Sequence, residues 1–527
     1  MRKIRLRMVI AFTLVWLNGL TLSGTRAAET PKRGGILTFV VPDEPPSYDG
    51  HRERTYGLIH PIAPFYSTLI RVNPENPASP DDFVCDLCTE MPQPTDNAKE
   101  YIFKLRKKAS FWDGQPLTAQ DVVASFNKII FPPSGVRSPR KAFYSMVKSV
   151  YAPDDYTVLF ELKYPSSAFI PALASPYNFI YPKRIIEKNI HWFEKNILGS
   201  GPFTFVRRTS GPLIEGRRNP NYHHMGKPYL DGFRAIFAKQ QSSRVEAIRK
   251  GQAMIEFRGF PPRSRDLLKH ALGDQITVQE CDWNCSLLFV PNHLVKPFDD
   301  PRVRRALTLA IDRWGGSKQL SGIALLKTVG GVVFPGHPLA ATKEELQKIA
   351  GYWPDLDQSR AEARRLLREA GVPEGFTFRF HNRGVDQPYK IAGTWLINQW
   401  RSIGLNAKQW VQPSNLCFKT LRSHTQDFQV SIDYNCHSVP NPLLDVSKYL
   451  SDDRSDDNNA NYKDRVLDDL FDRMNRSTDL TEQRRHMRQY EKRILDEQAH
   501  MFVTLWCTGS YHIVRSCEDG RLAQATT

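Results

Sequence analysis

Residues Phe103 to Ile130 read FKLRKKASFWDGQPLTAQDVVASFNKII. Phe103 and Leu105 alternate with Lys104 and Arg106, the pattern of a strand with one face buried and the other in water. Asp113-Gly114 supplies a turn, because glycine tolerates positive φ and aspartate can hydrogen-bond its own backbone. Thr118, with Asp121 three residues on, is a capping-box-like start for a helix that carries Val122, Val123 and Phe126. Strand, turn and capped helix follow one another without slack. The stretch holds no nucleophile pair, metal set or phosphate loop, so it reads as a scaffold corner whose meaning comes from the rest of the chain.

Moving outward, Gly34 to Val41 (GGILTFVV) reads as a buried strand that breaks at the proline-rich PDEPPSYDG, an ordinary opening for a large α/β or α+β domain. Asp300-Pro301 caps and opens a helix bearing Val303, Ala306, Leu307 and Ala310, since proline fits the first turn. Between Asp357 and Gly371 a second helix is expected, with Leu366, Leu367 and Ala370 on one face and Gly371 in the left-handed closing geometry. Its arginines, 360, 364, 365 and 368, are interleaved with Glu362 and Glu369, which favours a solvated outer face over a membrane surface. Met487, Tyr490, Ile494 and Leu495 form a third helical stripe facing a core. No internal repeat, low-complexity tract or single linker divides the chain, which points to lobes built from interleaved segments.

The first residues read as a secretory signal. Arg2, Lys3, Arg5 and Arg7 precede the apolar run Met8 to Leu22, and cleavage is expected after Ala27. Asn18 and Gly19 interrupt the run, which falls short of the roughly 20 residues of a spanning helix. No cysteine lies near the cleavage point to accept a lipid, so the mature protein is expected to be soluble and periplasmic. About 500 of the 527 residues remain, beyond the size of one core, so two or three lobes are expected. Removing the signal's five basic residues lowers the formal charge from +16 to +11. The remaining Lys and Arg are scattered among acids with no nucleic-acid-binding motif or basic tail, so no nucleic-acid partner is expected. Eight cysteines in an exported chain favour disulfides. Cys85-Asp86-Leu87-Cys88 lacks the thioredoxin-like βαβ context of a redox pair, and no second CxxC or HxxxH supplies a structural zinc site.

Enzyme signatures are missing: there is no G-x-S-x-G, no G-x-x-x-x-G-K-[ST], no G-x-G-x-x-G and no H-E-x-x-H. No catalytic residue and no cofactor is assigned. The loop DRSDDNNANYKD, 453 to 464, offers oxygens at Asp453, Ser455, Asp457 and Asp464. It lacks the glycine at its sixth position and the glutamate at its twelfth that a calcium loop uses, so it reads as a polar surface loop. His223-His224 reads as structural, because adjacent side chains point in different directions.

The opening stretch matches F-x-L-R-x-x-x-x-F-x-D-G-x-x-x-[ST]-A-x-D-V-x-x-S through Phe103, Leu105, Arg106, Phe111, Asp113, Gly114, Thr118, Ala119, Asp121, Val122 and Ser125. RGGILTF (33 to 39), GSGPFTF (199 to 205), RNPNYHHMGKPYLD (218 to 231), NHLVKPFDDPRVRRALTLAIDR (292 to 313) and ARRLLREAG (363 to 371) follow in order. Together they resemble the extracellular solute-binding proteins of the peptide/nickel class that serve ABC importers. The resemblance implies an α/β, two-lobed periplasmic-binding-protein-like fold with an additional subdomain on the first lobe. By it, residues 29–62, 190–285 and 500–527 form the first lobe, 63–189 the extra subdomain, and 286–499 the second lobe, after a signal at 1–27. It also implies a monomer that closes on a small-molecule or peptide ligand and presents it to an inner-membrane permease complex.

Peptide-binding members carry an aspartate four residues before a proline, and it pairs with the peptide's α-amino group. Here the segment reads DYNCHSVPNPLLD from Asp433. With Pro442 as the matching proline, the anchor position holds Ser438, which hydrogen-bonds but does not neutralise an ammonium; Asp433 substitutes if the register differs. Tyr434, Asn435 and His437 offer an aromatic face and mixed donors nearby, and Arg383, in HNRGVDQPY, is placed to meet a carboxylate. A non-peptide solute (an opine, a sugar or a metal chelate), a secreted hydrolase and a chaperone-like binder are the other readings. The resemblance further implies a Cys285–Cys436 cross-link. Cys507 with Cys517 could close a C-terminal hairpin, Cys85 with Cys88 a tight local bridge, and Cys281 with Cys417 is what remains. A competing Cys281–Cys285 pair would need Cα atoms roughly 13 Å apart on a strand to be bridged.

Overall fold

A single mixed sheet of eleven strands runs through the molecule. The computed structural model describes residues 31–76, 79, 81–206, 213–436, 439 and 441–514. Across the sheet the strands lie in the order 406–412, 377–383, 430–436, 276–291, 502–514, 255–256, 36–41, 232–237, 213–218 and 203–206, with 326–328 paired to 502–514 off this path. Strand Ile36–Val41 sits between Gly232–Phe237 and Ile255–Glu256 and is parallel to both. Such a position calls for an unbroken apolar run, because both faces are covered. Only Phe39, Val40 and Val41 are fully buried, while Ile36 is exposed. Ile36 lies in register with Gly232, which has no side chain to cover it.

Two strands join the halves of the sheet. Ile276–Pro291 and Phe502–Val514 pair antiparallel from Ile276 opposite Val514 to Phe289 opposite Phe502. Their register shifts between Asp282 and Ser286, and a bulge of this kind bends the strand where it passes from one half to the other. Asn292, just beyond the first of these strands, is fully buried. Its amide donates to the carbonyls of Thr425 (2.7 Å) and Phe428 (3.0 Å), and its oxygen accepts from Asn461 at 2.9 Å.

The scaffold corner takes the form its sequence predicts. Glu100–Lys104 pairs with Thr157–Leu162, which pairs with Val147–Asp154, in a separate three-stranded antiparallel sheet. Tyr101 and Phe103 point inward, and Ile102 and Lys104 outward. Gly114 has φ +87°, a conformation that favours glycine. Helix Ala119–Ile130 begins at Thr118, whose backbone N–H donates to Asp121 Oδ2 at 2.8 Å. Asp121 Oδ1 also accepts from the Lys183 backbone at 2.8 Å, and the Trp112 N–H donates to the Gly199 carbonyl at 3.0 Å. The corner therefore locks the small sheet to the large one. Phe126 packs edge-on to Phe160, 5.1 Å between ring centroids, in a core that continues into Leu443, Tyr449, Met487, Tyr490, Ile494 and Leu495 of the other half. Among the described residues no helix is long and apolar enough to cross a membrane.

Helix Pro301–Leu309 is capped by Asp300, which accepts from the Arg302 N–H, and Leu356–Glu369 is closed by Gly371 at φ +71°. Disulfides link Cys85 to Cys88 and Cys285 to Cys436, the latter two opposite each other on adjacent antiparallel strands. The expected Cys507–Cys517 hairpin is not formed. Cys507 is a buried free thiol, and it belongs to a strand that runs unbroken to Val514, so the chain does not turn back where a hairpin would require it. Cys517 lies outside the described residues, as does the signal segment. Cys417 is also a buried free thiol, on helix Ser414–Leu421, so the residual Cys281–Cys417 pair is not formed either.

Candidate ligand-binding cleft

The ends of strands Thr377–Arg383 and Val430–Cys436 face the loop that precedes helix Tyr56–Ile62 across the line where the two halves meet. Arg383 and Arg422 both lie over the Phe418 ring, 4.8 and 4.6 Å from its centroid. Arg383 also lies 5.1 Å from the Tyr389 ring centroid and donates from Nε to Ser414 Oγ at 2.7 Å. It is only 7% exposed, yet among the described residues no carboxylate lies within ion-pair distance of it. A desolvated guanidinium against two aromatic rings, with donors to spare, has the chemistry to receive a carboxylate.

Asp433 is placed differently. Its Oδ2 is 2.8 Å from Lys448 Nζ and accepts from Asn459 Nδ2 at 2.9 Å, while Oδ1 accepts from the Tyr434 N–H at 2.8 Å. The carboxylate is thus neutralised from within before any ammonium arrives. Tyr434 lines the cleft, and burial pushes its hydroxyl pKa well up, so it is a neutral donor at physiological pH. Asn435 is fully buried. Its amide nitrogen donates to the Asp445 carbonyl at 3.0 Å and its oxygen accepts from Arg54 at 2.9 Å, so it holds a cation of the opposite half in place. His437 and Ser438 lie outside the described residues.

A clasp of ion pairs crosses the cleft. Arg54 bonds Asp457, Arg137 reaches the same carboxylate at 2.7 Å, Lys141 pairs with Asp456 at 2.6 Å, and Arg422 with Glu53 at 2.9 Å. Burial pushes the Asp457 carboxyl pKa up, but Arg54 and Arg137 overcome that and hold it well below the usual carboxylate range. The Ser138 N–H also donates to Asp456 Oδ2 at 2.8 Å. Residues 453–464 are therefore not a polar surface loop. Ser455, Asp457, Asn458 and Asn459 are buried, because the loop forms one jaw of the clasp. Its acids face separate partners: Asp453 meets Arg465 at 2.6 Å, and Asp464 meets Arg493 at 2.7 Å and the His500 imidazole at 2.9 Å. They do not converge on a common point as calcium ligands would.

With the clasp made, the cavity bounded by Arg54, Phe418, Arg422, Asp433, Tyr434 and Lys448 measures about 10 Å³, room for one water. Anything larger enters only when the halves separate. Sequence reading did not find Arg54, Arg422, Lys448 or Asp457 as cleft residues. Only the dense charge of HRERTYG, immediately after the proline-rich break, hinted at the first of them.

The family profile of the bacterial extracellular solute-binding proteins, family 5 (middle), matches residues 82–457. The glutathione-binding protein GsiB of Escherichia coli K12 is 29% identical over 314 residues, which is 56% of this chain and 55% of that protein. The matched segment thus spans about half the length of the curated relatives. Among solved structures, the binding protein AgaA of A. tumefaciens R10 in complex with agropinic acid superposes with a TM-score of 0.79 at 22% identity, covering 91% of this chain and 93% of that one. Haemophilus influenzae OppA in complex with the peptide RPPGFSPFR superposes with a TM-score of 0.80 at 19% identity, covering 94% and 98%. These likenesses establish the two-lobed fold.

Proposed function

Because the chain belongs to the bacterial extracellular solute-binding proteins of family 5, we propose that it is the solute-capturing component of an ABC importer. In this reading it binds a small peptide or peptide-like molecule between its lobes and hands it to a membrane permease. The proposal includes export through a cleaved N-terminal signal and action as a monomer. It keeps the lobe boundaries set out above, with 63–189 as a subdomain of the first lobe.

The observation that carries this reading is Arg383, a buried guanidinium near the rings of Tyr389 and Phe418 with no ion-paired carboxylate among the described residues. We assign it the ligand's carboxylate, with Tyr434 as a neighbouring neutral donor. Asp433 is paired with Lys448 and Asn459, so the ligand's carboxylate dominates recognition and its α-amino group is secondary. A relative named for glutathione binding and a structural neighbour in complex with agropinic acid, ligands that each carry a free carboxylate, support the same ligand class. Binding near micromolar strength, about −8 kcal/mol, suits capture followed by release.

The test is a thermal-shift and calorimetric screen of ligand-stripped protein against di- and tripeptides, glutathione and opine-type conjugates, each paired with its carboxamide. Free acids are expected to bind and their amides to bind at least tenfold more weakly. Equal binding of acids and amides would remove Arg383 from the recognition scheme, and no binding by any compound would overturn the ligand class.

A further inference from the structure

Asp86, His223 and His224 bring three ligand atoms together away from the cleft, all within 4.8 Å of one another. The two histidines are adjacent in sequence, yet both converge. His223 Nε2 lies 3.1 Å and His224 Nε2 3.0 Å from the same atom, Asp86 Oδ1. Their rings sit 4.6 Å apart at 44°. The cluster is sheltered, with side-chain exposures of 5% for Asp86, 1% for His223 and 19% for His224.

From these contacts we propose that Asp86, His223 and His224 form a binding site for a divalent transition-metal ion of the zinc type. Two imidazoles and one carboxylate are a donor set that zinc, nickel and copper accept and that magnesium and calcium do not. The spacing fits. Bonds of roughly 2.1 Å to a tetrahedral ion place its ligand atoms about 3.4 Å apart, so the present 3.0 and 3.1 Å contacts need to open by only a few tenths of an ångström. On binding, each imidazole would present its Nε2 lone pair to the ion and carry its proton on Nδ1, so the contacts to Oδ1 give way to metal bonds. The fourth position falls to water or to the hydroxyl of Tyr222, which is 3.4 Å from Asp86 Oδ1.

The carboxylate is held ready from behind. Asp86 sits inside the Cys85–Cys88 disulfide loop, its Oδ2 accepts from the Thr68 N–H at 2.8 Å, and its carbonyl accepts from Arg106 Nε at 2.9 Å. The imidazoles follow a turn in which the Asn221 N–H bonds the Asn219 side chain at 3.0 Å and Asn219 bonds the Gly201 carbonyl at 2.9 Å. Such outer contacts orient metal ligands and raise affinity. Arg71 acts on the same carboxylate electrostatically and opposes cation binding there. Asp86 belongs to the added subdomain and the histidines to the first lobe, so the ion would cross-link the two without touching the cleft.

The experiment is a titration of tag-free full-length mature protein with ZnCl2 by calorimetry and thermal shift, with cobalt(II) absorption as the spectroscopic readout. One equivalent should bind, raise the melting temperature saturably and give visible cobalt bands. Asp86→Asn, which keeps a hydrogen-bond acceptor, and His224→Gln, at the most exposed ligand, should each weaken zinc binding at least tenfold while leaving solute binding unchanged. Zinc binding absent below millimolar concentration in the wild-type protein, or equal in wild type and both variants, would overturn the site.

Discussion

Replacing Asp457 by asparagine weakens the clasp that joins the two lobes. The side chain keeps its shape and an acceptor oxygen for Arg54, but the charge opposite Arg54 and Arg137 is lost. Those guanidiniums are mostly desolvated where the jaws meet, with side-chain exposures of 9% and 16%, and are expected to regain water when the lobes part. The loss therefore falls on the closed state. Removing one partner of a buried charge cluster typically costs about 2 to 4 kcal/mol, which shifts the closure equilibrium roughly 30- to 1000-fold toward open. Affinity for any solute that binds the closed form falls with it. Calorimetry with the tightest compound of the screen reads the affinity, and small-angle scattering at saturating solute reads the radius. Asp453→Asn, on the same loop but paired with Arg465 of its own lobe, is the control and should change neither. Asp457→Asn protein that binds within about twofold of wild type and closes to the same radius would refute the clasp as a determinant of closure.

Three further outcomes follow from named contacts. Arg383→Gln should lower affinity for free-acid solutes by about 1.5 to 3 kcal/mol and leave their amides nearly unaffected; calorimetry on both series checks it, and an equal loss on both would mean a packing role. Cys285→Ser with Cys436→Ser opens a link between residues 151 apart and should lower unfolding stability by at most about 5 kcal/mol, read by denaturant titration against the oxidised, disulfide-intact wild type; a change under about 0.5 kcal/mol would contradict the cross-link's contribution. Burial lowers the His51 pKa to about 3 and that of His500 to about 4, against 6.5 for a free imidazole. The unfolded chain takes up these protons first, so stability is fully present above pH 6.5 and is lost as pH falls toward 4. At pH 5 the loss is at most about 2 kcal/mol per histidine. His500→Gln should flatten the stability–pH curve between 6.5 and 4, and an unchanged slope would place His500 among groups that do not titrate in that window.

Local structure was legible where the residues that determine it are neighbours in sequence. Phe103 and Lys104 declare opposite faces of a strand, Thr118 and Asp121 declare a helix start, and Asp300-Pro301 another, because alternation and capping act over a few residues. Motif order was informative enough to place the whole chain in a family. The clasp was not legible. Arg54 and Asp457 are 403 residues apart, and nothing about either in isolation says that the other lies opposite. The loop at 453–464 looked solvated for the same reason, since Asp456, Asp457 and Asp464 are satisfied by Lys141, Arg54, Arg137 and Arg493 from distant parts of the chain. Cys507 was misplaced because two cysteines ten residues apart suggest a hairpin, whereas pairing with Ile276–Pro291 draws that segment out into one long strand. His223 and His224 were read as diverging, and it is the turn beginning at Asn219 that brings both onto Asp86.

The central claim is that a carboxylate-bearing solute is enclosed between the lobes. Native mass spectrometry of protein isolated from its own cell envelope, before and after stripping under mild denaturant, tests it most directly. The account predicts one bound small molecule per chain, lost on stripping, whose fragmentation shows a free carboxylate and whose re-addition reduces the scattering radius. A bare chain in freshly isolated protein, with a radius that no carboxylate-bearing solute changes, would contradict it.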